Sequence, residues 1–350
     1  MVKSRSFIAT PPGATIKEQL LDRGLNQKEF ALRMGMSEKH ISKLINGEVQ
    51  LTTDVAVRLE MVLGMPAKFW NKLEATYREK LVKANAENEM DADKELAKKL
   101  PYREMSKNGW VPETRDSTEK VIYLRKYFEV VNLEIIEDMQ LSRIACRRLA
   151  ESEKSNLALL AWAQKAKLEA RTIETSLINL KSLKKRLPEI RSMTTMDPAD
   201  FCPKLIELLA GCGIALVFLP HIGGSFLHGA TFYDGNKIVV GITVRGKDAD
   251  KFWFSLFHEL GHILLGHINQ TNGTTDEDED AADRFAKEIL IPAEEFNAFT
   301  IQNDFSKASI CSFAQENNIL CGIVVGRLQK EGFINYNCCN DLKTKYILSA

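Results

Sequence analysis

No run of about eighteen apolar residues occurs in the chain, which excludes an ordinary membrane-spanning helix. The start, Met1-Val2-Lys3-Ser4-Arg5-Ser6-Phe7, lacks the apolar core of a signal peptide. Together these absences place the chain in the cytoplasm as an expectation. The seven cysteines are odd in number and form no C-x-x-C pair. That argues against a disulfide framework and against a cysteine-built zinc ribbon, and fits reduced thiols. No internal repeat is present, and histidine is scarce, with six in 350 residues. The chain also lacks net charge, with 47 basic and 47 acidic side chains. This balance hides an asymmetry. Residues 1–80 carry 13 Lys and Arg against 9 Asp and Glu, residues 81–192 carry 22 against 18, and residues 193–350 carry 12 against 20. A basic front on an acidic body suits a nucleic-acid contact confined to one end.

At this length two or three domains are expected. Residues 11–80 read as short helices punctuated by Gly24, Gly35, Gly47 and Gly64-Met65-Pro66. Residues 81–192 are rich in Lys, Glu, Ala and Leu and nearly free of Gly and Pro, which predicts long connecting helices, one running from Ser155 through Ala170. After Met193 the texture changes. Ile214 to Leu219 reads as a buried strand, and Gly229 to Tyr233, a turn at Asp234-Gly235-Asn236, and Lys237 to Val244 read as a hairpin. Helices return from about Asp248, and Ile323 to Gln329 falls in a last one. The expected fold class is an all-α N-terminal helix-turn-helix domain (11–80) with a helical linker (81–192). An α+β zincin-like C-terminal domain (193–300) follows, with a small sheet and an H-E-x-x-H helix, and then a helical extension (301–350).

The stretch Asn26 to Gly47 carries the reading of the front. Asn26 can cap a helix with Glu29 at the reciprocal position. Ala31 is small enough for a second helix to cross closely, and Gly35 falls where a tight turn wants positive φ. Ser37 caps a second helix whose inward face is Ile41, Leu44 and Ile45. Its outward side chains Glu38, Lys39, His40, Ser42, Lys43 and Asn46, together with Gln27 and Ser37, offer hydrogen-bonding groups suited to a major groove. The alternative is a plain helical hairpin with a solvated face. With Pro12-Gly13, Thr52 to Glu60 and Phe69-Trp70-Asn71-Lys72-Leu73, this stretch resembles the heads of Xre/HigA-type antitoxins and repressors over about 11–80. The resemblance implies double-stranded operator DNA as partner, and a homodimer on a palindrome.

The body carries H-E-x-x-H in Phe252 to His267. His258 and His262, four apart on an apolar helix, project from one face and can reach one ion. Glu259 beside them is placed to act as base on a water that zinc has made more acidic. Two core histidines satisfied by hydrogen bonds are the bland alternative. A third ligand is needed. The metzincin spacing fails, because positions 265 and 268 hold Leu265 and Ile268. His267, nine residues after His258, points away while the helix continues. Downstream, the apolar stripe Ala282, Phe285, Ala286 and Ile289 extends by one turn to Glu279 and Asp278. A carboxylate on a buried face is costly unless it binds something, which favours Glu279, with Asp278 and Asp283 as fallbacks. A solvated acidic helix start accounts for the rest of Asp276 to Asp280. His228, Tyr233 and Arg245 are candidates for stabilising an oxyanion, each more often structural.

Arg245, Asp250 to His262, Glu279, Ala282 to Ala286 and Leu290-Ile291-Pro292 resemble the ImmA/IrrE metallopeptidases over about 195–300. The tail from Gly322 to Gln329 resembles the extension in members fused to a HigA-type head. The resemblance implies a Zn2+ held by two His and a downstream Glu, with catalytic Glu259, and a repressor as substrate. One departure is Ala281-Ala282, where members commonly carry Glu-Ala; a ligand beside that Ala would be missing here. Two functions follow. One is a DNA-bound regulator carrying a zinc endopeptidase that cuts a protein partner. The other is an antitoxin or autorepressor whose metal domain binds a toxin partner, or folds the protein, without turnover.

Overall fold

The computed structural model describes residues 2–88, 90–138, 153–223, 229–243, 248–269 and 274–346. The chain divides into two compact units, 1–95 and 96–350. No helix among the described residues is long and apolar enough to cross a membrane.

The first unit opens with two short antiparallel strands, β1 (Val2–Lys3) and β2 (Ile8–Ala9). Five helices follow: α1 (Gly13–Asp22), α2 (Gln27–Met34), α3 (Glu38–Asn46), α4 (Thr53–Leu63) and α5 (Ala67–Asn88). The caps fall where the side chains allow. Asn26 Oδ1 accepts from Glu29 N at 2.8 Å, Ser37 Oγ from His40 N at 3.2 Å and Thr52 Oγ1 from Val55 N at 3.3 Å. Gly35 ends α2 at φ +62°, a left-handed conformation that a Cβ would strain, and so turns the chain into α3. The core gathers Ile16, Phe30, Ile41, Leu59 and Trp70, all fully buried, with Ala31 among them at 2% exposed. Residues 2–9 are tied to α5. Glu87 accepts from the hydroxyl of Ser4 at 2.5 Å and from Ser6 N and Oγ at 3.1 and 2.9 Å.

The division falls within α6 (Asp91–Lys99), and the second unit goes on with α7 (Tyr102–Lys107), α8 (Ser117–Phe128), α9 (Ile135–Asp138), α10 (Glu153–Ala170), α11 (Leu180–Ser192) and α12 (Pro198–Ala210). Three strands come next: β3 (Ile214–Leu219), β4 (Gly229–Asp234) and β5 (Lys237–Thr243). The remaining helices are α13 (Ala249–Leu265), α14 (Asp276–Leu290), α15 (Ala293–Ile301), α16 (Lys307–Glu316) and α17 (Cys321–Lys330). The sheet order is β3-β5-β4, with β3 parallel and β4 antiparallel to β5, so the described sheet is mixed and small.

Both faces of that sheet are covered. Ile214, Leu216, Ile238, Val240 and Ile242 face the core that holds Trp253, Leu256, Phe257 and Leu260 of α13. Alternation sends Ala215, Val217, Val239 and Gly241 to the other face. There the Trp162 ring of α10 lies so close over Gly241 that a Cβ would come within 2.5 Å of it. The helix read from sequence as a connector is therefore a layer of the body. Helices α13 and α14 run side by side and antiparallel. Gly261 permits the approach, since a Cβ there would already touch Phe285 and the backbone of Ala282 at 3.1 and 3.4 Å.

Candidate metal centre and nucleic-acid interface

Helix α13 forms because Asp248 to Leu265 presents an almost wholly apolar surface to the sheet, with Phe252, Trp253, Leu256, Phe257 and Leu260 all buried. The four-residue spacing then stacks His258 above His262. Their Nε2 atoms stand 3.0 Å apart. Helix α14 brings Glu279 to the same point, with Oε2 3.3 Å from His258 Nε2 and Oε1 3.4 Å from His262 Nε2. One donor atom from each of the three lies within 4.8 Å of the others. The sequence stripe placed Glu279 on the buried face of α14, and there it is, 7% exposed.

The chemistry of this cluster fits a divalent metal. Glu279 Oε2 is buried without a well-formed hydrogen bond and faces His258 Nε2 at 3.3 Å, so a cation at this point would satisfy it. His258 Nδ1 lies 2.7 Å from Asp283 Oδ1, so the proton of the neutral ring sits on Nδ1 and leaves a lone pair on Nε2. Two imidazole nitrogens and a carboxylate oxygen converging in a buried position are the donor types of a catalytic zinc site. Burial works against charge on His258, but its bonds to Asp283 and Glu279 outweigh that and raise its pKa to about 10. Burial would likewise raise Glu279. Its contacts with His258, His262 and Thr274 win, holding the carboxylate well below its ordinary value.

Glu259 lies on the sheet side of α13 and is 3% exposed. Thr231 Oγ1 donates to its Oε2 at 2.5 Å. Gly229 leaves the space it occupies, because a Cβ there would sit 2.6 Å from Oε1 and 2.8 Å from Cγ. Register explains both contacts: Gly229 pairs with Ile242 and Thr231 with Val240, which puts them on the face of β4 turned to α13. Burial raises the Glu259 pKa, opposed by the histidines and by the Thr231 bond. A carboxyl so placed is suited to take and return a proton.

The other sequence candidates are distributed differently. Asp283, a fallback ligand, is the hydrogen-bond partner of His258 rather than part of the three-ligand group. Asp278 caps α14 through Thr275, with its other oxygen 3.4 Å from His267 Nε2. His267 does not point away. The helix ends at Leu265, Gly266 adopts φ +81°, and the turned chain brings His267 Nδ1 to 3.0 Å from His262 Nδ1. Tyr233 shares the Thr231 face of β4 by alternation, at its 41% exposed end. His228 and Arg245 lie outside the described residues. Sequence reasoning missed Thr231, Gly229 and Thr274, whose roles come from strand register and loop path.

In the first unit, the outward positions of α3 stay open as the pattern requires. Gln27, Ser37, Glu38, Lys39, Lys43 and Asn46 are exposed, and His40 and Ser42 are half-buried, while Ile41, Leu44 and Ile45 face inward. Gln27 Nε2 donates to the carbonyl of Glu38 at 3.4 Å, so α2 abuts the start of α3. Two helices joined at a left-handed glycine, the second with one polar face free, define a helix-turn-helix head. The α13–α14 pair against a small mixed sheet defines a metallopeptidase-like body.

The comparisons agree with both classes. Residues 16–70 match the helix-turn-helix family, and residues 227–328 match the IrrE N-terminal-like domain of the M78 peptidases. An uncharacterized HTH-type transcriptional regulator of Escherichia coli strain K12, YddM, is 32% identical over 63 residues, which is 18% of this chain and 67% of that protein. The chain belongs to the helix-turn-helix transcriptional regulators, with an IrrE-like peptidase domain fused behind the head.

Proposed function

We propose that this regulator binds operator DNA through residues 11–80 and cuts a protein partner, such as a repressor, through a zinc-dependent endopeptidase site in residues 193–300. The observation that carries the reading is the convergence of His258, His262 and Glu279 beside a buried Glu259. Zinc held by those three would supply Lewis-acid activation of water and of the scissile carbonyl. Glu259, next to His258 in sequence, is the proposed proton acceptor, and the Thr231 bond fixes the rotamer of its carboxylate. The raised pKa lets Glu259 hold the proton it removes and return it to the leaving amine. The polar face of α3, with Gln27 and Ser37 at its start, would lie in the major groove, and an HTH head of this kind is expected to act as a homodimer on a palindrome.

Glu259→Gln tests this directly. The variant should retain metal and operator binding and fail to cut a repressor co-expressed with it. Undiminished cleavage contradicts the endopeptidase. The second reading, a HigA-like antitoxin whose metal domain holds a toxin without turnover, is favoured by the head alone. It predicts a stable complex with a small partner that Glu259→Gln leaves intact.

A further inference from the structure

Each ligand histidine has its outer nitrogen engaged, but in different ways. His258 Nδ1 meets a carboxylate directly, Asp283 at 2.7 Å. His262 Nδ1 meets another imidazole, His267 Nδ1 at 3.0 Å, with the ring planes inclined at 66°. Between two imidazole nitrogens only one can carry the hydrogen. If His267 supplied it, His262 would have its own proton on Nε2, the atom turned to Glu279 and His258, and could not ligate. The choice is made one step further out. Asp278 Oδ1 stands 3.4 Å from His267 Nε2, while its Oδ2 accepts from Thr275 N and Oγ1 at 2.8 and 2.7 Å. A carboxylate beside Nε2 draws the His267 proton there and leaves its Nδ1 as the acceptor.

We propose that His267, oriented by Asp278, is a positioning residue. It holds His262 in the tautomer with Nδ1 protonated and Nε2 open to the metal, so Asp278–His267–His262 does over two links what Asp283–His258 does over one. The inference rests on the metal reading above. The local fold supports it. His262 is fully buried and His267 is 9% exposed, so water does not substitute readily for either partner. Gly266, at φ +81°, donates its N–H to the carbonyls of His262 and Ile263 and turns the chain so that residue 267 returns to residue 262. His267 itself does not join the ligand group, since its Nδ1 is taken up by His262 and its Nε2 faces Asp278.

The test uses the full chain with cobalt(II) and zinc, measured by chelator competition and by the visible absorption of the cobalt form. His267→Phe fills the space and removes the acceptor. His267→Asn restores an acceptor oxygen at the same distance from the backbone as Nδ1. Thermal unfolding of each metal-free variant reports on packing separately. The expected result is a loss of roughly 10–100-fold in metal affinity for His267→Phe with an altered cobalt spectrum, and recovery of most of that loss in His267→Asn. Wild-type affinity in His267→Phe overturns the proposal, and so does equal loss in both variants. A wild-type protein that binds neither metal removes the metal reading itself, and this inference with it.

Discussion

Thr231, on strand β4, donates its hydroxyl hydrogen to Glu259 of helix α13 across 2.5 Å. That bond fastens the sheet to the proposed base, in a space that exists because residue 229 is glycine. Thr231→Val keeps the shape and removes the donor, so the body should lose about 1–3 kcal/mol of stability. The Thr231 hydroxyl bonds to Glu259 rather than to a proposed ligand, so metal affinity should be unchanged while cleavage falls. Thermal unfolding beside metal titration checks both halves.

Asp283 supports His258 from outside. Asp283→Ala should weaken metal binding by roughly 10–100-fold, and Asp283→Asn, which keeps an acceptor, by less. Chelator competition in the metal-bound protein reads the difference. Equal affinity in wild type and Asp283→Ala would mean that the 2.7 Å bond does not orient the ring.

Lys39 and Lys43 are exposed on the recognition helix. Replacing either with Ala should weaken operator binding and, if the lysine meets a phosphate, reduce the slope of log affinity against log salt by about 0.9. Fluorescence anisotropy at several salt concentrations separates this from a base contact, which changes sequence preference instead.

Glu87 ties the N-terminal strands to α5. Burial would raise its pKa, but the Ser4 and Ser6 bonds outweigh burial and lower it. A depressed carboxyl contributes stability above its unfolded value, near 4.3, and loses it as pH falls through the lower folded value. Acid should therefore destabilise the first unit below about pH 4.3 in wild type. Glu87→Gln should lack that component and be less stable at neutral pH. Thermal melts across pH 3–7 measure it.

The parts legible in sequence are those whose cause is local. Asn26, Gly35, Ser37 and Gly47 announce the helix-turn-helix because capping and left-handed turns depend on a few neighbouring residues. His258 and His262 share a face through helical period alone, and the apolar stripe of α14 carries Glu279 to them. What was not legible depends on where a helix stops or how strands align. Helical continuation would turn His267 away from the site, whereas Gly266 ends the helix and reverses the direction of the next side chain. Thr231 and Gly229 acquire meaning only from the pairing of β4 with β5. Helix α10 looked like a connector because its alanine and leucine run shows no partner in sequence, yet the sheet supplies one at Gly241.

The central claim is that His258, His262 and Glu279 hold one metal ion. Metal content of the purified wild type, measured beside His262→Ala and Glu279→Ala, tests it most directly. The expected result is roughly one zinc per wild-type chain, lost in both variants. Absence of metal from a wild type purified anaerobically with zinc supplied, or its retention in both variants, would contradict the account.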